Sequence, residues 1–220
     1  RVFYLIGTYS NFFLTSWKWR FLFKLILSRK SEVLFLSTFI KKILAKNFRF
    51  QSKKTYIMNP YIDVSSKLKD QIIRKKTNQF NIITVGALKY RKGQLELIKI
   101  IKDIIYKYKK NIQLTLVGSP DDPKYLNILK QYIRVNKLNT KIVFKFNLSD
   151  KDLIKEYKKN HIFVLNSLYS TFHLEGYGIV YLEALSCGCN IFISKYSGAK
   201  DLKKKFNSKI IFDSNNEEDL

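Results

Sequence analysis

The chain has 220 residues, 46% of them apolar, which is ample for a hydrophobic core in one or two domains. Its formal charge of +24 draws polyanions, but no RNP-like aromatic strand, zinc spacing or helix-turn-helix signature accompanies it, so no specific nucleic-acid partner is expected. The longest apolar run, residues 21–27 around Lys24, is too short to span a bilayer, and Cys187 and Cys189 are too close for a disulfide and lack zinc spacing.

These cysteines are expected to be reduced, half-buried thiols of a cytosolic protein. The dispersed lysines read as a compositional surface bias, and a general attraction to anionic lipid head groups stays open. Arg1 in place of Met and an acidic stretch at residues 215–219 read as the cut ends of a longer protein.

In chain order, residues 17–27 form an aromatic and basic helix, 32–36 a strand, 38–46 a helix and 55–58 a strand ending at Asn59 and Pro60. The first helix reads in two ways: as a domain helix with a wide apolar face, or as a segment at a membrane interface with Trp17, Trp19, Phe21 and Phe23 dipping in. Residues 65–79 are polar and charged and read as a connector. Strands then follow at 82–85, 112–117, 142–146, 162–165, 190–193 and 209–212. Leu95, Ile98, Ile101, Ile105 and Tyr108 recur at helical spacing after the first of these, and further helices cover 123–136, 150–159 and 179–187. Alternating strands and helices predict an α/β fold with a doubly wound parallel sheet and a partial second α/β domain. The divisions are 1–60 for the partial domain, 61–80 for a linker and 81–220 for the doubly wound domain.

Two segments carry chemistry. Residues 175–183 run Glu-Gly-Tyr-Gly-Ile-Val-Tyr-Leu-Glu, with a helix beginning near Gly178. A helix start presents unpaired N–H groups and a partial positive charge to an anion, while carboxylates suit sugar hydroxyls. Glu183 lies inside the helix and Glu175 in the loop before it, so the two acids reach different parts of one ligand, a layout that fits a sugar nucleotide. A helix with one exposed Glu and a second in its preceding loop accounts for the pair equally well. The second segment is the loop after the strand at 82–85, running Gly86-Ala87-Leu88-Lys89-Tyr90-Arg91-Lys92-Gly93-Gln94. A strand-to-helix loop with glycines and cations is where an α/β domain holds phosphate, although it is neither a Walker loop nor a dinucleotide fingerprint.

Taken together, the Gly86 loop with Lys92 and Gly93, the strand ending at Val117 and Gly118, and the Glu175 to Glu183 segment followed by Cys187 and Gly188 resemble retaining glycosyltransferases of family 4, which have the GT-B fold. The resemblance extends over residues 31–220: residues 31–37 look like the last strand region of the acceptor-side domain, and 58–63 like the segment joining the domains. It implies that Glu183 binds the ribose hydroxyls, that Glu175 contacts the donor sugar, and that Gly176, Tyr177 and Gly178 offer N–H groups to the diphosphate. Lys92 is the counter-charge of the diphosphate, Arg91 a second cation, and Gly86 and Gly118 line the nucleotide site, with the base near Gly118 and the loop after Phe146. Many relatives carry Arg directly after the first glycine of the loop, where this chain has Ala87, with Arg91 and Lys89 as substitutes.

The resemblance further implies transfer from a nucleotide diphosphate sugar to a glycan or lipid-linked acceptor with retention, by a front-face route, without a metal or other cofactor. Catalysis rests on Glu175 and Lys92. Location in the cytoplasm, at the inner face of the cell membrane, follows from the same likeness. His161 reads as structural, and His173, just before Glu175, as a lesser candidate for the donor pocket. Another GT-B enzyme such as a sugar-nucleotide epimerase, a non-catalytic polyanion-binding module, and a fragment that binds donor without turnover remain alternatives.

Overall fold

The structure is a computed structural model, and it describes residues 2–5, 16–26, 31–47, 54–62, 78–168, 174–202 and 211–212. The chain divides into two compact units, the first comprising residues 1–61, 168–178 and 195–209, the second 62–167, 179–194 and 210–220. Of the third division in the sequence reading, the described residues 168, 174–178 and 195–202 fall in the first unit.

The first unit holds strands β1 (Val2–Leu5), β2 (Glu32–Phe35) and β3 (Lys54–Ile57), with helix α1 (Trp17–Ile26) between β1 and β2 and α2 (Thr38–Asn47) between β2 and β3. The strands form a parallel sheet in the order β1-β2-β3, as expected when each crossover carries a helix. Val33, Phe35, Ile40 and Leu44 are fully buried in its core, together with Leu5, Phe39 and Leu174. Helix α2 begins where its sequence supplies caps. Ser37 Oγ accepts from Ile40 N–H at 3.2 Å, and the buried carboxylate of Asp201 accepts from Thr38 N–H at 2.8 Å and from the Thr38 hydroxyl. Asn59 Nδ2 also donates to Asp201, at 3.1 Å. On α1, Trp17 is 75% and Phe21 63% exposed, and Trp19 and Leu22 are exposed as well, whereas Phe23 packs on the core.

The second unit holds β4 (Phe80–Val85), β5 (Ile112–Val117), β6 (Ile142–Lys145), β7 (Ile162–Leu165), β8 (Asn190–Ser194) and β9 (Ile211–Phe212). Its helices are α3 (Gln94–Lys107), α4 (Pro123–Val135), α5 (Asp150–Lys159) and α6 (Ile179–Ser186). The sheet is parallel throughout the described strands, in the order β6-β5-β4-β7-β8-β9. That is a doubly wound order, and its switch point lies between β4 and β7. Strands covered on both faces become continuous apolar runs, and Ile83, Leu114, Leu116 and Phe163 are accordingly fully buried. Asp122 caps α4 by accepting from Tyr125 N–H at 3.0 Å ahead of Pro123, and Ser149 caps α5 by accepting from Asp152 N–H at 3.2 Å.

Three details refine the sequence reading. The strand β1 has no counterpart in it. The thiols of Cys187 and Cys189 are buried rather than half-buried, and Cys189 donates to the Tyr157 carbonyl at 3.1 Å. His161 is structural: its Nδ1 accepts from Asn81 N–H at 3.1 Å and its ring lies 5.8 Å from that of Phe80. Residues 65–77 of the expected connector at 65–79, His173 and the start of the last strand at 209–210 lie outside the described residues.

One acid-sensitive contact ties α5 to β6. Glu156 is buried and accepts from Lys145 at 2.7 Å and Lys159 at 2.8 Å. Burial opposes its ionisation, but the two ammonium groups together outweigh burial and hold its carboxyl below the usual range. Because the folded value is depressed, this stabilisation is present above the ordinary Glu value of 4.5 and is lost as pH falls through the folded value. Thermal unfolding of Glu156→Gln is expected to show a weaker loss of Tm than the wild type between neutral pH and that acid range.

Candidate functional site

The loop after β4 stands at the switch point, where an open α/β sheet receives its ligand. Its backbone is tied down: Gly86 N–H donates to Val117 O at 2.9 Å, Leu88 N–H to Ser119 O at 2.9 Å, Lys92 N–H to Lys89 O at 2.8 Å and Gly93 N–H to Tyr90 O at 3.0 Å. Gln94 Nε2 reaches back to Ala87 O at 3.0 Å and closes the loop on itself. Arg91 and Lys92 are both half-buried in the short turn Tyr90–Lys92. The stem of Lys92 crosses Gly86, its Cε lying 3.8 Å from where a Cβ on that glycine would be. Gly118, at the end of β5, abuts the same place: a Cβ there would sit 2.0 Å from Gly86 O. The structure thus brings Gly86, Lys92 and Gly118 together.

Of the two cations that were to offset Ala87, Lys89 is already in an ion pair with Asp121 at 2.9 Å. Ser119 first and Lys89 second hold the Asp121 carboxyl below its usual range.

Glu183 lies on α6, half-buried, and its Oε2 accepts from the Tyr157 hydroxyl at 3.1 Å. Burial, and next the charge of Glu183, push the Tyr157 phenol far above its ordinary range, so it stays a donor at every working pH. The Tyr157 ring is held edge-on against Phe163 at 6.0 Å, and Phe163 against Tyr181 at 5.2 Å. The Tyr181 hydroxyl donates to Leu165 O at 2.9 Å, which anchors α6 to β7. The carboxylate is thus aimed by a packed aromatic stack, leaving its other oxygen to accept from a ligand. Sequence reasoning missed Tyr157, which stands 26 positions before Glu183 on another helix. Tyr157→Phe keeps the packing and removes the aim. It is expected to weaken nucleotide affinity about tenfold by calorimetry, the low end of what a hydrogen bond to a charged group contributes.

The segment from Glu175 to Gly178 belongs to the first unit and Glu183 to the second. Glu175 pairs in parallel with Ser197, and Gly198 N–H donates to Glu175 O at 3.1 Å. Ser37 Oγ donates to Gly176 O at 2.8 Å and Ser197 Oγ to Tyr177 O at 3.2 Å. The Tyr177 ring is buried, and burial first, with Asp201 second, pushes its phenol up to about 12. Whatever Tyr177 gives a ligand comes from its backbone. Helix α6 begins at Ile179, directly after Gly178, where the sequence places it.

Among known proteins, the profile of the family Glycosyl transferases group 1 matches residues 65–220. An uncharacterized glycosyltransferase of Methanocaldococcus jannaschii is 27% identical over 183 residues, covering 79% of this chain and 44% of the relative. The O-antigen chain mannosyltransferase RfbU of Salmonella typhimurium is 27% identical over 186 residues, covering 84% of this chain and 48% of the relative. The chain therefore spans about half the length of the curated relatives it matches. A glycosyltransferase crystal structure from Rickettsia africae superposes with a TM-score of 0.75 at 19% identity, over 93% of this chain and 55% of that one. Anabaena HepE, crystallised with UDP-glucose, gives 0.68 at 18%, over 91% and 55%. The α/β architecture with parallel sheets is shared with GT-B glycosyltransferases. With the family profile covering most of the chain, including the Gly86 loop, Gly118, Glu175 and Glu183, the chain belongs to the group 1 glycosyl transferases.

Proposed function

We propose that this chain is the donor-binding part of a family 4 glycosyltransferase, with the end of the preceding domain, and that it transfers a sugar from a nucleotide diphosphate donor with retention of configuration. The observation that carries the reading is Glu183 on α6, aimed by the Tyr157 hydroxyl at 3.1 Å. A half-buried carboxylate with one oxygen fixed suits a pair of ribose hydroxyls. Glu175 takes hydroxyls of the donor sugar, and Gly176, Tyr177 and Gly178 present N–H groups to the diphosphate. Lys92 neutralises the diphosphate as it departs, with Arg91 as the second cation, and Gly86 and Gly118 line the donor site. A charge placed where negative charge develops lowers the barrier without any covalent intermediate. The leaving phosphate oxygen takes the acceptor proton on the same face, so the configuration is retained. The UDP-glucose complex of the Anabaena relative supports a nucleotide sugar, and the O-antigen chain mannosyltransferase of Salmonella supports a glycan acceptor; a lipid-linked acceptor and a place at the cytoplasmic face of the cell membrane belong to the same proposal.

The experiment is transfer by the full-length enzyme from UDP-, GDP- and ADP-linked sugars to a lipid and glycan extract, followed by proton NMR at the anomeric centre. Release of nucleoside diphosphate with the donor's anomeric configuration in the product is expected. An inverted product would overturn retention, and no release from any donor would overturn the donor reading.

A peripheral membrane contact is proposed on separate grounds. Helix α1 exposes Trp17, Trp19, Phe21 and Leu22 beside Lys18 and Arg20, an interfacial pattern of aromatics among cations. No helix among the described residues is long and apolar enough to cross a membrane. Replacing Trp17 and Phe21 by Ser is expected to reduce sedimentation with vesicles containing anionic lipid severalfold; unchanged sedimentation would contradict the contact.

A further inference from the structure

We propose that Ser37, Ser197 and Gly198 are positioning residues that fix three successive peptide planes of the Glu175 to Gly178 segment, so that the N–H groups of Gly176, Tyr177 and Gly178 face one way, toward the diphosphate of the donor. The inference rests on the function proposed above and deepens it by naming what holds the anion-binding backbone in place.

A trans peptide is planar, so each N–H points opposite the carbonyl of the residue before it. Three consecutive carbonyls are held: Glu175 O by Gly198 N–H at 3.1 Å, Gly176 O by Ser37 Oγ at 2.8 Å and Tyr177 O by Ser197 Oγ at 3.2 Å. In a regular extended strand successive carbonyls alternate sides. Here all three turn toward the same neighbours, because Ser197 and Gly198 are adjacent and a Cβ on Gly198 would lie 1.8 Å from Gly176 O and 2.4 Å from Ser37 Oγ. Their N–H partners therefore gather on the opposite side, the arrangement by which a backbone nest binds an anion. Each serine has its hydroxyl committed by a second bond. Ser37 Oγ accepts from Ile40 N–H at 3.2 Å and Ser197 Oγ from Ala199 N–H at 3.1 Å, which leaves the hydroxyl proton to donate to the carbonyl. Both serines are buried, so neither hydroxyl has water to turn to.

The test uses the full-length enzyme and calorimetric titration with UDP, GDP, ADP and TDP, and with the monophosphate of whichever binds. Ser37→Ala and Ser197→Ala are each expected to weaken diphosphate affinity tenfold or more, with the monophosphate changed less than threefold and Ser197→Thr returning toward the wild type. Asp122→Ala, which removes the cap of α4 in the other unit, serves as the control: it is expected to lower Tm while leaving the ratio of diphosphate to monophosphate affinity unchanged. Folded serine variants that keep the wild-type ratio would overturn the positioning role while leaving the proposed function in place. A wild type that binds none of the four diphosphates would overturn both.

Discussion

Alanine in place of Gly118 is expected to lower the unfolding temperature by several degrees and to weaken nucleotide binding at the same time. The new Cβ would lie 2.0 Å from Gly86 O, 2.6 Å from Gly86 C and 3.3 Å from Ala87 N, all of them backbone atoms. No side-chain rotation can relieve such a contact, so the ends of β4 and β5 must part. Forced overpacking costs about 1–3 kcal/mol, and for a chain of this size about 1 kcal/mol shifts Tm by ~2–4 °C. The displaced atoms carry the Gly86 loop with them, and Lys92 rides on that loop. A variant that loses stability but binds nucleoside diphosphate as tightly as the wild type would show that the loop takes no part in binding. Thermal unfolding and titration calorimetry on one preparation separate the two effects.

The second large effect is expected at Glu183. Glu183→Ala removes the proposed acceptor for the ribose hydroxyls and strips the buried Tyr157 hydroxyl of its partner. Hydrogen bonds to a charged group contribute about 1.5–3 kcal/mol each, so nucleotide affinity is expected to fall roughly a hundredfold. The orphaned phenol adds about 1–3 kcal/mol of destabilisation, read as a lower Tm. Glu183→Gln retains an acceptor for Tyr157 and a similar shape. Its Tm is expected to stay near the wild type while affinity still drops about tenfold, the difference between a charged and a neutral acceptor. Equal affinity in all three proteins would remove Glu183 from the site.

Much of the second unit was legible in the sequence because its strands are covered on both faces. Burial on both sides turns β7 into the apolar run Ile-Phe-Val-Leu, and β5 into the apolar-rich Ile-Gln-Leu-Thr-Leu-Val, which need no partner to be recognised. Helices α4 and α5 start at Pro123 and Asp150, as read from the sequence, each behind a cap, Asp122 and Ser149, whose chemistry is local. Strand β1 was not read, since four residues carry little pattern and its identity comes from pairing with β2 some thirty positions on. At the candidate site the residues proposed to face the anion were named from spacing and family likeness, and the contacts that hold them were not. Tyr157 meets Glu183, and Ser37 meets Gly176, only through tertiary contacts, the latter 139 positions apart. Deep burial of Cys189 has the same origin, because its thiol is directed at the Tyr157 and Asn160 carbonyls.

Whether this chain holds a nucleotide diphosphate donor through Glu183 and Lys92 is decided by thermal shift against a panel of nucleoside diphosphates and their sugars. A ligand at a hundredfold its Kd stabilises by about 2.7 kcal/mol, which is readily seen. The account predicts a shift for one nucleotide, abolished by both Glu183→Ala and Lys92→Ala. No shift with any member of the panel, together with salt-sensitive binding to nucleic acid, would contradict it and assign the +24 charge to a polyanion-binding role instead.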